Sequence, residues 1–341
     1  MSYLIKRLAQ GVFTIYAVVT LGFILVRLMP GGPADYVRSQ FIEDRMQGVG
    51  GQDVTEEEIA QYLEIYLNIN PDKPLWEEYL EYVYTVMIEL DLGTSIFVRR
   101  GASVSQLIAE AAPWTVLITS IGLFYSFAVG IVLGTMMAYY EGGKFDVAAT
   151  VTMIVNGAIP YYVVAIVLVF FLSYQWGIFP QGGRMDPYTD PGLNWPFIRG
   201  VFYHAALPVA SIILTGIGGH ALGMRANSIR LIGSDYVNFA DNRGISPYGV
   251  ATRHLARNAV LPMYTQLMIS IGFILGGAVI LEMIFVYAGM GLLMLQATEA
   301  RDYPVLMGAL TISVVMFVVA MLIADLTYSW IDPRAERAGE A

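Results

Sequence analysis

Cysteine is absent from this chain, lysine occurs only at Lys6, Lys73 and Lys144, histidine only at His204, His220 and His254, and charged residues make up just 14% of 341 positions. Each scarcity excludes a class. Without thiols there is no disulfide framework and no thiolate metal centre, and the three histidines form no H-x-x-x-H pair, so no metal site is expected. A P-loop needs G-x-x-x-x-G-K-[ST], whereas Gly142-Gly143-Lys144 runs into Phe145. The chain therefore cannot hydrolyse ATP by that route. G-x-S-x-G and H-E-x-x-H are missing too, so no catalytic residue or cofactor-binding residue is expected, and no nucleic-acid partner.

What is abundant is apolar: 56% of the chain, with a mean hydropathy of +0.58, against a charged fraction well below the roughly 25% of soluble domains. Six runs reach the roughly 20 residues that a helix needs to cross a hydrocarbon core. They are 8–29, 114–139, 147–174, 207–224, 263–285 and 305–330. Backbone polar groups in lipid must be satisfied within the segment, which makes helices the expected form and the fold all-α, an integral membrane protein with six transmembrane helices. The first run is longer than a signal core and no A-x-A follows before Pro30-Gly31-Gly32-Pro33, so it reads as an uncleaved span.

With the N-terminus inside, the inner face carries ten Lys and Arg in short segments, Lys144, Arg225, Arg243 and Arg257 among them, against Arg184, Arg199 and Arg301 outside. Both termini are expected to be cytoplasmic. The chain then divides into residues 1–29, an inner N-terminus with the first span; 30–113, an outer loop; 114–332, the remaining spans; and 333–341, an inner tail. The outer loop holds fifteen Asp and Glu against five Lys and Arg, a balance of −10 that accounts for the whole-chain −9. Helices are expected from Thr55-Glu56-Glu57-Glu58 to Leu67 and from Pro74 to Leu90. Two readings of this acidic extracellular layer stay open: a docking surface for a solute receptor, or a solvated cap adapted to salt.

Between the fourth and fifth runs lies a polar stretch, residues 235–262, DYVNFADNRGISPYGVATRHLARNAVLP. Ser234 and Asp235 can cap a short helix stopped at Gly244, and Ser246 with Pro247 can start a second. Asp235-Tyr236-Val237, Ala240, Arg243-Gly244, Arg253-His254, Leu255-Ala256-Arg257-Asn258-Ala259 and Leu261-Pro262 resemble the EAA loop of ABC-importer permeases, in the dipeptide, oligopeptide and nickel branch. Asn238-Phe239-Ala240 stands where the generic loop has Glu-Ala-Ala. The likeness extends along the chain, through FILVRLMPGGPADY, Asp91-Leu92-Gly93-Thr94-Ser95, Gly177-Ile178-Phe179-Pro180, Leu207-Pro208, Arg301-Asp302-Tyr303-Pro304 and Asp332-Pro333-Arg334.

That resemblance implies a type I permease fold and one half of a heterodimeric pore. The implied partners are a homologous second permease, two ABC ATPase subunits that bind ATP and Mg, an extracellular solute-binding protein, and membrane lipid. It also implies a peptide-like substrate, with nickel complexes and oligosaccharides as the other cargoes of the class, and a coupling helix within residues 234–260 that docks on the ATPases. A basic amphipathic segment resting on anionic headgroups is the bland alternative for the same residues. A stand-alone ion-coupled transporter would need paired intramembrane charges and inverted repeats, and a receptor scaffold would work through its ectodomain alone.

Ionisable residues within spans are few and are the default functional candidates. Glu282 either faces the translocation path or accepts hydrogen bonds from a neighbour, and His220 is a second path candidate or a packing residue. Arg27 can snorkel to an interface, and Asp325 can reach Arg225 or Arg230. Gly130/Gly134, Gly219/Gly223 and Gly272/Gly276 each form G-x-x-x-G, a spacing that allows close helix approach.

Overall fold

A computed structural model of the protein describes residues 3–28, 39, 74–246, 249–276 and 278–331. The expected helix at 55–67, Pro247 and the tail at 333–341 lie outside them, as does the Arg27 side chain. Among the described residues the chain is helical, and its one β-type contact is an isolated bridge between Thr94 and Ser103.

Helices α1 (Tyr3–Leu28) and α2 (Leu75–Tyr84, extended by a wide π-type turn over Thr85–Glu89) precede α3 (Val104–Tyr139). Then come α4 (Lys144–Ala158), α5 (Tyr161–Leu168, widening over Val169–Gln175) and α6 (Trp195–Ile232). The short α7 (Asp235–Asn242) is followed by a π-type turn, Val250–Ala256, that runs directly into α8 (Arg257–Gly272). The last elements are α9 (Val279–Ile284), α10 (Met290–Glu299) and α11 (Tyr303–Ile331).

Four of these, within α1, α3, α6 and α11, are long and apolar enough to cross a membrane unbroken, and α4 with α5 qualifies as a fifth bent by 86°. The bend has a local cause. Proline bars its predecessor from the helical region, and Ile159 (φ −86°, ψ 118°) and Pro160 (φ −62°, ψ 142°) are both extended. The run 263–285 is likewise not one helix. α8 stops at Gly272, a single 3₁₀ turn covers Ile274–Gly276, and α9 has six residues. Gly272, Gly276 and Gly277 are weak helix formers within six positions, which favours a break in this stretch.

The chain separates into two compact units, Met1–Pro113 with Gly289–Val319, and Trp114–Ala288 with Ala320–Ala341. In the first, α1 lies on α11 through glycines: a Cβ on Gly11 would come within 2.6 Å of Val318, and one on Gly22 within 1.8 Å of Met307. α2 is also seated on α1. The Tyr79 hydroxyl meets Thr20 at 2.8 Å and donates to Tyr16 at 2.7 Å, and the Phe23 ring contacts those of Tyr79 and Tyr82. This helix, expected in a separate outer layer, thus packs along the C-terminal half of the first apolar run.

The same unit brings two sequence elements together. Asp302, fully buried, accepts the Ser95 hydroxyl at 2.6 Å and the backbone amides of Ile96, Phe97 and Val98 at 2.9–3.0 Å, all on Oδ2. The Asp-Leu-Gly-Thr-Ser turn is thereby tied to the start of α11. Four donors on one carboxylate oxygen make a strong, charge-assisted joint.

The second unit has two apolar cores, one around Ile118, Leu207, Leu281 and Tyr287, the other around Phe127, Met224, Met263 and Leu267. α3 approaches α6 through small residues. A Cβ on Gly130 would lie 2.4 Å from that of His220, and one on Gly134 would lie 2.3 Å from the Ala221 carbonyl. Elsewhere there is more room: around Gly219 and Gly276 there is open space, and Gly223 makes only ordinary contact with Met263.

Candidate functional site

The polar stretch after α6 folds as an elbow. α7 starts at Asp235, and the Ser234 carbonyl accepts the amides of Val237 and Asn238. The Ser234 hydroxyl, expected to cap this helix, instead donates back to the Leu231 carbonyl at 2.6 Å, because the close of α6 leaves that carbonyl within reach. Gly244 takes φ +72°, a left-handed conformation that ends the helix at no steric cost. Past the turn, the Ser246 side chain accepts the Gly249 amide at 3.3 Å and its carbonyl accepts Val250 at 2.9 Å, an N-cap arrangement.

The two arms of the elbow share a small buried base of Val237, Ala240 and Val250, with Ile245 against it. Ala240 therefore points inward. On the opposite side of α7, Tyr236 and Phe239 are exposed, and the Arg243 guanidinium lies over the Phe239 ring at 5.4 Å. Arg253, Arg257, Asn258 and Pro262 are exposed as well, His254 and Leu261 are half-buried, and Asn258 donates to the His254 carbonyl at 3.1 Å. Leu255 and Ala259, which alternate with them, are buried and root this arm.

A second constellation escaped sequence reasoning. Arg225 near the end of α6 grips Asp146 in the first turn of α4 with two bonds, Nε to Oδ1 at 2.6 Å and Nη2 to Oδ2 at 2.7 Å. Asp146 is buried, and it also accepts the Gly142 amide and the Thr150 hydroxyl. A planar fork meeting a carboxylate this way fixes orientation as well as distance. Arg225, one of the two arginines that the sequence offers to Asp325, is thus held by Asp146. Its signal in the sequence is faint: an aspartate and an arginine 79 positions apart, each at the edge of an apolar run.

Glu282 is fully buried and accepts the Thr115 hydroxyl at 2.7 Å. Beside it, the Tyr287 amide donates to the Glu282 carbonyl at 2.8 Å, and Arg184 donates to the Ala288 carbonyl at 3.0 Å while lying 5.0 Å over the Trp114 ring. Burial, with the Glu282 carboxylate adding to it, pushes the Tyr287 phenol up, so it stays protonated. His220 is half-buried in α6 and sets its ring edge-on to Phe127 at 5.5 Å.

Neither Glu282 nor His220 lines the cavity of about 330 Å³ in this unit. Its walls come from α3, α6, the start of α5 and the break after α8, with Thr119, Tyr161, Thr215, Ser270 and Phe273 facing it. No single stretch of sequence announces such a site, since its residues are ordinary within their runs. Among the described residues there is no His, Asp and Glu cluster able to hold a metal.

Residues 130–337 match the family described as binding-protein-dependent transport system inner membrane component. The oligopeptide transport system permease protein AppB of Bacillus subtilis is 30% identical over 335 residues, covering 98% of this chain and 99% of that protein. The inner membrane ABC transporter permease protein YejB of Escherichia coli O157:H7 is 28% identical over 369 residues, with 99% of each covered. Helical over its described residues, with several apolar spans, and matched from end to end by such permeases, the chain belongs to the family of inner membrane components of binding-protein-dependent transport systems, the permease subunits of ABC importers.

Proposed function

We propose that this chain forms half of the pore of an ATP-driven importer of short peptides and takes up motion from its ATPases through the elbow at 234–260. The observation that carries this reading is α7: an exposed stripe of Tyr236, Phe239 and Arg243 over a buried base shared with the arm that continues into α8. An exposed aromatic paired with arginine is the composition of a binding hot spot. Because the base joins both arms, a displacement at the stripe is passed to α6 on one side and α8 on the other.

In this reading Asp235, Tyr236, Arg243, Gly244, Ser246 and Pro247 shape the docking element. Arg253, His254, Arg257, Asn258, Leu261 and Pro262 fasten it to the start of α8, and Ala240 supplies the inner seam. The α8–α9 pair completes six spans, with both termini inside and the acidic 30–113 stretch outside. Two ATPase subunits holding ATP and Mg sit at the inner face, a homologous permease completes the pore, and a solute-binding protein delivers cargo from outside. Peptide cargo is supported by the oligopeptide permease named above. Nickel complexes and oligosaccharides are the alternatives the branch offers.

The test is purification of the tagged full-length chain with its native complex. Two ATPases and a second permease are expected to copurify, and Phe239→Asp should abolish recovery of the ATPases while leaving the second permease bound. Full ATPase recovery with the Phe239→Asp variant would overturn the assignment of the elbow.

A further inference from the structure

The cavity in the second unit sits where two different spans lose their helix. Tyr161, directly after the Pro160 bend, is one wall; Phe273, Ile274 and Ala278, from the break between α8 and α9, are another. Interrupted backbone inside a membrane protein leaves amides and carbonyls without helical partners, and it is tolerated where it lines a cavity that water or cargo can fill. Two interruptions meeting at one cavity mark it as more than a packing defect.

Its chemistry is specific. No charged side chain lines it. Four lining residues carry hydroxyls: three donate their proton to the carbonyl four residues back, Thr119 to Thr115, Thr215 to Ser211 at 2.8 Å and Ser270 to Gln266 at 3.0 Å, and the fourth is the Tyr161 phenol. With their protons engaged, what the Thr119, Thr215 and Ser270 hydroxyls turn toward the cavity is acceptor lone pairs, which leaves the Tyr161 phenol as a side-chain donor in the lining. Leu123 and Ile212 add apolar surface. The volume, about 330 Å³, is at the small end of ligand pockets, which run from roughly 300 to 1,000 Å³.

We infer that this cavity holds the cargo in transit and favours a compact segment that offers N–H donors beside small apolar groups, as peptide bonds and an N-terminal amine do. The inference rests on the importer reading and deepens it by locating the cargo and naming what recognises it. A carboxylate gains nothing from the three engaged hydroxyls, where an acceptor meets acceptors, and finds a side-chain donor at Tyr161 alone among the residues that line the cavity. The absence of lining charge also keeps the hold weak, which suits a site that must release.

The test uses the complete transporter in proteoliposomes with its solute-binding protein, and labelled alanine dipeptide and alanine tetrapeptide as probes. Ser270→Phe fills the cavity. Gly216 is avoided, because a Cβ there would press on Ser126 at 2.9 Å and disturb the α3–α6 contact. Thr119→Val with Thr215→Val removes two acceptors at nearly constant volume. The double variant is expected to slow uptake of both probes by about ten-fold, the factor equivalent to roughly 1.4 kcal/mol. Ser270→Phe should slow the tetrapeptide more than the dipeptide. In both, ATP hydrolysis stimulated by the binding protein should persist, which reports an intact fold and assembly.

Unchanged uptake with the filled cavity overturns the inference, as does loss of the second permease from Ser270→Phe, which would mean that a partner helix occupies the space. A parent complex that recruits its ATPases but imports neither probe sinks the inference and leaves the importer reading standing. A parent that recruits no ATPase sinks the reading itself.

Discussion

At Gly244 a side chain would meet no atom within 4 Å, so any effect of adding one is conformational. The φ of +72° is disfavoured for L-residues by roughly 1–2 kcal/mol, and more for a β-branched one. Gly244→Val is therefore expected to insert and assemble normally yet lose uptake while ATP is still hydrolysed, measured side by side in vesicles; normal uptake would remove the proposed role. Asp146 is the opposite case, where loss of atoms matters. Asp146→Ala strands the Arg225 guanidinium, and because that group is partly exposed the expected loss is about 2–3 kcal/mol, read as a lowered thermal midpoint in detergent. Asp302→Ala leaves the Ser95 hydroxyl and three amides without their acceptor, at roughly 3 kcal/mol or more. Limited proteolysis at 95–100 should accelerate in that variant, and unchanged cleavage would refute the joint. The left-handed stop was legible in the sequence because glycine alone is at ease there. Asp146 was not, because nothing local tells an aspartate which of several arginines it will meet.

Among helices, the close approach of α3 to α6 sets the next level. Gly134→Leu must push against the Ala221 carbonyl and the Met224 Cβ at 2.3 and 2.7 Å, backbone and near-backbone atoms that cannot swing aside. Overpacking of this kind costs about 1–3 kcal/mol, whereas Gly219→Ala enters open space and should change stability by less than about 0.5 kcal/mol. Thermal unfolding of the two variants in parallel checks the contrast, and equal losses would contradict it. The G-x-x-x-G spacing is identical at both sites, so spacing alone could not separate them. Helix ends were more legible than helix contacts. Pro160 and Gly276-Gly277 are plain in the sequence, yet the hydropathy of the runs around them is high enough to suggest unbroken spans. Apolar content reports the solvent a segment prefers and is blind to a bend within it.

For the whole molecule, the absence of cysteine becomes an experimental advantage, since every introduced thiol is unique. Asn242→Cys, exposed at the end of α7, should react with a membrane-impermeant maleimide only from the inner face, and Tyr188→Cys, fully exposed between α5 and α6, only from the outer face. The reverse pattern would invert the topology and end the coupling proposal. The sequence by itself determined the solvent of this protein, its helical form and its family, because apolar runs of this length have one stable backbone solution in lipid and because its motifs recur in order along the chain. Tertiary structure alone decided which glycines are contacts, that Asp146 belongs to Arg225, that Asp302 ties down the turn after Asp91, and that two helix breaks share a cavity. The physical reason is distance along the chain: propensity and hydropathy act over a few neighbours, while a salt bridge across 79 residues or a cavity walled by four helices exists only once packing has brought its parts together.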